Sequence, residues 1–297
     1  MRKILTLPIL LLLSLTAATQ NFSLPQLPDT ITGKQARTEY LLLHYWDNYD
    51  FQNPDIFIDG DAALGYFTLM KDTSRETSDK AIKQTLEKAS KSNRIFSLFI
   101  DTFRVYLMNP QSLYCDYERY LAVCEFVINN EEINEYAKLN FEYEKTIILT
   151  NRVGEKATNF KVFDKNGKAI ELKDIESEYL LVLFNNPDCD ICMKTKDNLA
   201  NSEIVNSMID SGILKVFAVC PYEQYDLWKA TSYPEKWLDG YDKNQTINNE
   251  KLYFFFESSS IYLLDKDKKV LKKDIRFDLL ESYLQDICSF DALKTSK

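Results

Sequence analysis

The sequence predicts an all-α domain followed by an α/β sandwich with a mixed sheet, and three observations carry that reading. Residues 34 to about 150 repeat apolar side chains at three- and four-residue intervals with almost no strand alternation. At Asn151 the texture changes to short alternating stretches around Asp164-Lys165-Asn166-Gly167, a hairpin signal. From residue 179 a strand, a helix, a strand and a helix follow in turn, and a second hairpin and a helix close the chain. That order packs helices against a sheet.

A length of 297 residues suits two domains, each long enough to bury a core. The expected divisions are a signal peptide over 1–20, a helical domain over 21–150 and an α/β domain over 151–297. The first twenty residues join a basic start (Arg2, Lys3) to an apolar run from Ile4 to Leu15 and the small residues Thr16-Ala17-Ala18-Thr19. This is the pattern of an export signal. No later stretch approaches the ~20 apolar residues that spanning a bilayer needs, so the mature form is expected to have no stable membrane span and to be periplasmic or otherwise exported.

Removing Arg2 and Lys3 takes the formal charge from -9 to -11. Such an acidic chain is poorly suited to phosphate backbones, and nucleic acid is excluded as a partner. Export also permits disulfides among the six cysteines at 115, 124, 189, 192, 220 and 288. With one histidine, His44, far along the chain from every cysteine, no metal site and no cofactor are expected.

Within the first half, the spacing predicts a helix over 34–49 with Tyr40, Leu43, His44 and Asp47 on one face. "TSDKAIKQTLEKASKS" predicts another, capped by Thr77 or Ser78 and with Ile82, Leu86 and Ala89 in register. Further helices fit 93–108, 112–128 and 131–149. The acidic stretch "DNYDFQNPDIFIDGD" lacks the regular spacing of a calcium loop and reads as helix ends and a solvated turn.

In the second half, "YLLVLF" reads as a buried strand that breaks at Asn185-Asn186-Pro187 and runs into Cys189-Asp190-Ile191-Cys192. A helix is expected from Cys189 or just after to Asp210, a strand over 213–220, a helix near 223–231 and a loop around Pro234. "SSIYLLDKDKKVLKKDI" gives two strands across a turn, and "FDLLESYLQDI" gives the closing helix.

The succession "GEKATNFKVFDKNGKAIELKDI", an apolar strand, C-x-x-C opening a helix, and "YLLDKDKKV" resembles the exported thioredoxin-like proteins of the TlpA/ResA type. The match covers about residues 151–290, and residues 22–150 resemble the helical domain of unknown function that precedes such modules in some envelope proteins. The resemblance implies an α/β thioredoxin-like fold preceded by an all-α helical domain. It also implies that Cys189 is the nucleophile and that Cys192 resolves the mixed disulfide. Protein thiols and disulfides of the cell envelope are the implied partners.

Three departures from the family pattern bear on that chemistry. Asp188 stands where an aromatic is usual, and Asp190 follows the cysteine. A carboxylate about 4 Å from a thiolate opposes it by ~1 kcal/mol in water, comparable to the ~0.3–1 kcal/mol a helix terminus offers. The buried acid many thioredoxins carry on the preceding strand falls here on Leu183, while Lys194 and Lys196 read as helix surface. Finally, the family's cis-proline falls on Ser259, and a cis bond before a non-proline costs ~3–4 kcal/mol. Pro187, Asp188 and Ser259 are thus the expected client-binding positions.

Of the other cysteines, Cys220 and Cys288 read as core residues. Cys115 and Cys124 can bridge only if Cys115 lies in the loop after Pro110. The resulting expectation is a thiol-disulfide oxidoreductase acting on envelope proteins. A redox-inactive binding or interaction protein on a thioredoxin scaffold is the alternative.

Overall fold

The structure is a computed structural model that describes residues 23–53, 55–255 and 259–295, with side chains through Ser289. The segment 1–20 lies outside the described residues. The chain divides into two compact units, Met1–Phe99 and Ile100–Lys297.

The first unit contains α1 (Lys34–His44), α2 (Gly60–Lys71), α3 (Arg75–Ala89) and the start of α4 (Asn93–Phe103). Its core is aromatic: Trp46 lies 5.3 Å from Tyr66 and 5.2 Å from Phe99, ring centre to ring centre. α1 stops at His44 rather than at residue 49, because the turns that follow bring Tyr45, Trp46 and Tyr49 into this core. The sequence reading missed α2. Its signal was Asp59, within the acidic stretch, whose carboxylate accepts from the Asp61 N–H and caps the helix. α3 likewise begins earlier than expected: Ser74 Oγ accepts from the Thr77 N–H at 3.2 Å and is the cap, while Ser78 is buried inside the helix.

The second unit begins within α4, passes through a π-helical turn at Arg104–Met108, and continues with α5 (Tyr117–Asn129) and α6 (Glu135–Leu149). Asp116 and Asn134 cap these two helices through their side chains, which starts them later than residues 112 and 131. A seven-stranded sheet follows, in the spatial order β2-β1-β5-β4-β3-β6-β7. Its strands are β1 (Lys161–Phe163), β2 (Ala169–Glu171), β3 (Tyr179–Phe184), β4 (Leu214–Cys220), β5 (Leu238–Tyr241), β6 (Ser260–Asp265) and β7 (Val270–Lys272). β3 runs parallel to β4 and antiparallel to β6, so the sheet is mixed.

Both faces of β3 are covered, which is why it reads as one apolar run. Leu180, Val182 and Phe184 join a core with Phe217, Tyr253 and Tyr262, while Leu181 and Leu183 face Leu199, Val216 and Leu284 on the other side. The helices α7 (Asp190–Asn201), α8 (Glu203–Asp210) and α11 (Phe277–Thr295) contribute to the second of these cores. The expected single helix to Asp210 is two, because Ser202 leaves helical geometry and caps α8. α9 (Tyr225–Ala230), β5 and α10 (Thr246–Asn249) complete the fold. β5 went unread because its four residues Leu-Asp-Gly-Tyr carry little strand signal. A Cβ on Gly240 would collide with Val162 of β1, so only glycine lets the two strands approach.

The boundary between the two compact units falls in α4. α5 and α6 belong to the second unit because buried polar contacts tie them to the sheet. Tyr117 donates to the Asp274 carboxylate at 3.1 Å, and Lys273 Nζ donates to the carbonyls of Ile147 and Thr150, both at 2.7 Å.

Candidate active site

The site is built by the turn between β3 and α7. Asn186 Oδ1 accepts from the Asp188 N–H at 3.0 Å, and the Asn186 carbonyl accepts from the Cys189 N–H at 3.2 Å. This compact turn delivers Cys189 to the N-cap of α7, where its sulfur accepts from the Cys192 N–H at 3.2 Å. Cys189 and Cys192 are disulfide-bonded across Cα atoms 5.2 Å apart. Cys189 is half-buried, whereas Cys192 is only 3% exposed. Cys189 is thus the more exposed member of the pair.

In the reduced form the Cys192 N–H and the open end of α7 both point partial positive charge at Cys189, which favours its thiolate. Asp188 and Asp190 are exposed, so water and salt screen their opposition to that charge. Leu183 is fully buried in the apolar core.

Lys196 corrects an expectation. It is buried, not solvated helix surface: its ammonium donates to the Ser232 carbonyl at 3.3 Å and pairs with Asp197 at 2.7 Å. Asn185, also fully buried, donates to Tyr233 Oη at 3.3 Å and to the Met193 sulfur at 3.6 Å, pinning the turn to the start of α7.

A cleft of about 490 Å³ opens beside the disulfide. Asn186, Cys189 and Cys192 line it together with Tyr143 of α6, Tyr222, Asn248, Lys251 and the run Tyr253-Phe254-Phe255. Of the expected binding positions, Pro187 is half-buried in the turn and Asp188 is exposed on it, and neither lines the cleft. Ser259 also lies outside the lining. It precedes Ser260, which pairs with Phe184 at the end of β3, and its buried hydroxyl has no hydrogen-bond partner among the described residues. The Ser258-Ser259 peptide bond itself lies outside the described residues.

Sequence reasoning read Asn186 only as part of the turn, not as a lining residue, and missed Tyr143, Tyr222 and Phe254. For Asn186 the signal was present, since asparagine two residues before a turn donor is a recurring turn former. For Tyr143 there was none.

The other cysteines are free. Cys220 is fully buried, and burial pushes its thiol up to about 11. Cys124 is buried as well, and burial raises its thiol to about 12. Cys115 does lie in the loop after Pro110, yet it forms no bridge; burial first, and the Asp274 carboxylate second, push it up to about 12. Cys288 packs against the core that contains Leu280 and Leu284.

Residues 12–151 match the family described as "Domain of unknown function (DUF5106)". No curated protein matches the chain. A thioredoxin-like protein from Bacteroides caccae is 29% identical with a TM-score of 0.82, over 90% of this chain and 98% of its own. The C-terminal domain of an uncharacterized protein from Bacteroides fragilis is 36% identical, over 46% of this chain and 99% of its own, with a TM-score of 0.45. The thioredoxin domain of a thiol-disulfide oxidoreductase from Bacteroides vulgatus is 23% identical, over 46% of this chain and 96% of its own, with a TM-score of 0.40. With the Bacteroides caccae likeness spanning both parts and the family match covering the helical one, the chain has a thioredoxin-like fold that follows an N-terminal helical part matching DUF5106.

Proposed function

We propose that the protein is a thiol-disulfide oxidoreductase that exchanges disulfides with exported proteins through Cys189 and Cys192. The observation that carries this reading is the asymmetry of the pair: a half-buried cysteine at a helix N-cap and a fully buried one a turn further on. In the reductive direction the Cys189 thiolate attacks a client disulfide, forming a new S–S bond while the client's other sulfur departs as thiolate and takes up a proton. Cys192 then gives up its proton and attacks Cys189, closing the intramolecular disulfide and releasing the second client thiol. A reducing dithiol of the same compartment resets the pair, and the reverse sequence oxidises a client.

Export is proposed from the first twenty residues. No helix among the described residues is long and apolar enough to cross a membrane. Insulin reduction in the presence of a dithiol, with Cys189→Ser as control, tests the function. Turnover that the substitution abolishes supports it. Absence of turnover with both insulin and oxidised glutathione overturns it in favour of a scaffold that only binds.

A further inference from the structure

The cleft beside the disulfide is not made by the thioredoxin fold alone. One wall is Tyr143, a residue of the DUF5106 match, which meets Phe254 edge to face with ring centres 5.8 Å apart. Such a contact is favourable in its own right, so each ring holds the other in place. Phe255 continues the wall inward against Phe184 at 4.8 Å, and Tyr222 meets Phe255 at 6.0 Å. Ile191, between the two cysteines in the chain, is 62% exposed.

This geometry is held from α6. Lys273 binds the last carbonyls of that helix, and Asn151, in the left-handed region at φ 52°, donates from its side chain to the Leu252 carbonyl at 2.8 Å. Tyr253 donates to the Thr158 carbonyl at 2.6 Å. The end of the helix and the aromatic loop are thereby fastened together. Further out on the same face of α6, Leu139 and Tyr136 recur at helical spacing from Tyr143, 56% and 83% exposed. Large apolar side chains left in water on the helix that supplies a wall of the cleft mark an interaction surface.

We infer that α6 supplies the specificity wall of the dithiol site, and that the cleft takes an apolar or aromatic side chain next to the client's reactive cysteine. This rests on the oxidoreductase reading for the identity of the occupant. A client sulfur in contact with Cys189 places its neighbouring residues at the mouth of a cleft whose volume lies within the ~300–1,000 Å³ of typical binding pockets. Phenylalanine or leucine there displaces water from Tyr143, Phe254 and Phe255. Glutamate there loses its own hydration with Lys251 as the one cation among the lining residues. Selection between clients is thus assigned to α6, a helix within the DUF5106 match.

The test uses the full mature chain and two pentapeptides whose central cysteine is held as a mixed disulfide with glutathione, flanked by phenylalanine in one and glutamate in the other. The wild type should reduce the first with a kcat/KM about tenfold higher, the discrimination a hydrophobic pocket provides. Tyr143→Ser should shrink that ratio to about twofold or less; its exposed position makes misfolding avoidable, and Tm checks it. A second measurement does not need redox chemistry. The Cys189→Ser/Cys192→Ser protein is titrated with fluorescent versions of the same peptides carrying serine for cysteine, and anisotropy reads the affinities. It should prefer the phenylalanine peptide, and adding Tyr143→Ser should remove the preference. Equal handling of the two peptides by the Tyr143-containing proteins, or a preference that survives Tyr143→Ser, overturns the inference. If no disulfide is turned over at all, the oxidoreductase reading fails on its own, and the anisotropy ratio still decides the cleft.

Discussion

Lys273 caps the end of the helix that carries Tyr143: its ammonium donates to the Ile147 carbonyl at 2.7 Å, with Thr150 at 2.7 Å and Ile148 at 3.3 Å as further acceptors. The last carbonyls of a helix lack intrahelical partners and carry partial negative charge, so a buried cation is favourable there. Lys273→Met keeps the unbranched apolar stem, one atom shorter, and removes all three bonds. We expect a loss of ~1–3 kcal/mol, the cost of leaving buried acceptors unsatisfied, read as a lower urea midpoint with unchanged slope. A midpoint within error of wild type would show that water or another donor replaces the lysine.

Asp274, the neighbour of Lys273, sits at φ 50° and is buried; burial raises its carboxyl above the ordinary range, against the lowering effects of Lys273, Ser260 and Tyr117. A carboxyl with a raised folded-state pKa holds its proton more tightly folded than unfolded. Its contribution is therefore complete below the ordinary carboxylate value and declines as pH rises through the raised one. Asparagine tolerates the left-handed backbone and still accepts from Tyr117, yet carries no charge. Asp274→Asn should gain on wild type as pH rises from 4 to 7 in urea melts. A constant or shrinking difference would mean that the carboxylate is stabilised in place.

After reduction, iodoacetamide at pH 7 should label Cys189 first. Burial that pushes the Cys220 thiol up to about 11 leaves roughly one molecule in ten thousand as thiolate at that pH, and Cys115 and Cys124, raised to about 12, hold fewer still. Cys192 is shielded by its 3% exposure. Raising the pH should bring the buried thiols into reach. Mass mapping that finds Cys220 labelled ahead of Cys189 would place the reactive thiol at the end of β4 instead.

Ser259→Pro tests the position of the family's missing proline. Its hydroxyl makes no hydrogen bond among the described residues, so little is lost by removing it. Proline lowers the cost of a cis bond from ~3–4 to ~0.5–1 kcal/mol, and a cis bond at this position is what the family resemblance implies for client pairing. Insulin reduction should rise relative to exchange with oxidised glutathione. A ratio that stays level or falls, with Tm retained, would mean that this peptide does not limit client binding.

The dithiol was legible in the sequence because its determinants are local. An apolar run buried on both faces makes β3, Asn186 and Pro187 turn the chain, and a side chain with a lone pair at Cys189 caps the helix that holds Cys192 one turn on. The helical texture of the first half was legible for the same reason, although its exact starts depended on which polar residue won each cap, as Ser74 did over Thr77 and Ser78. Lys196 and Lys273 were different: a lysine in a helix or beside a strand reads as surface until the carbonyls that receive it are in place. The wall of the cleft was likewise decided in three dimensions. Tyr143 and Phe254 are far apart in the chain and face one another because the polar contacts of Lys273 and Asn151 fasten the end of α6 to the sheet and the aromatic loop. Periodicity reports which side of an element is apolar; only tertiary packing decides whether that side meets a core, a client or a sulfur.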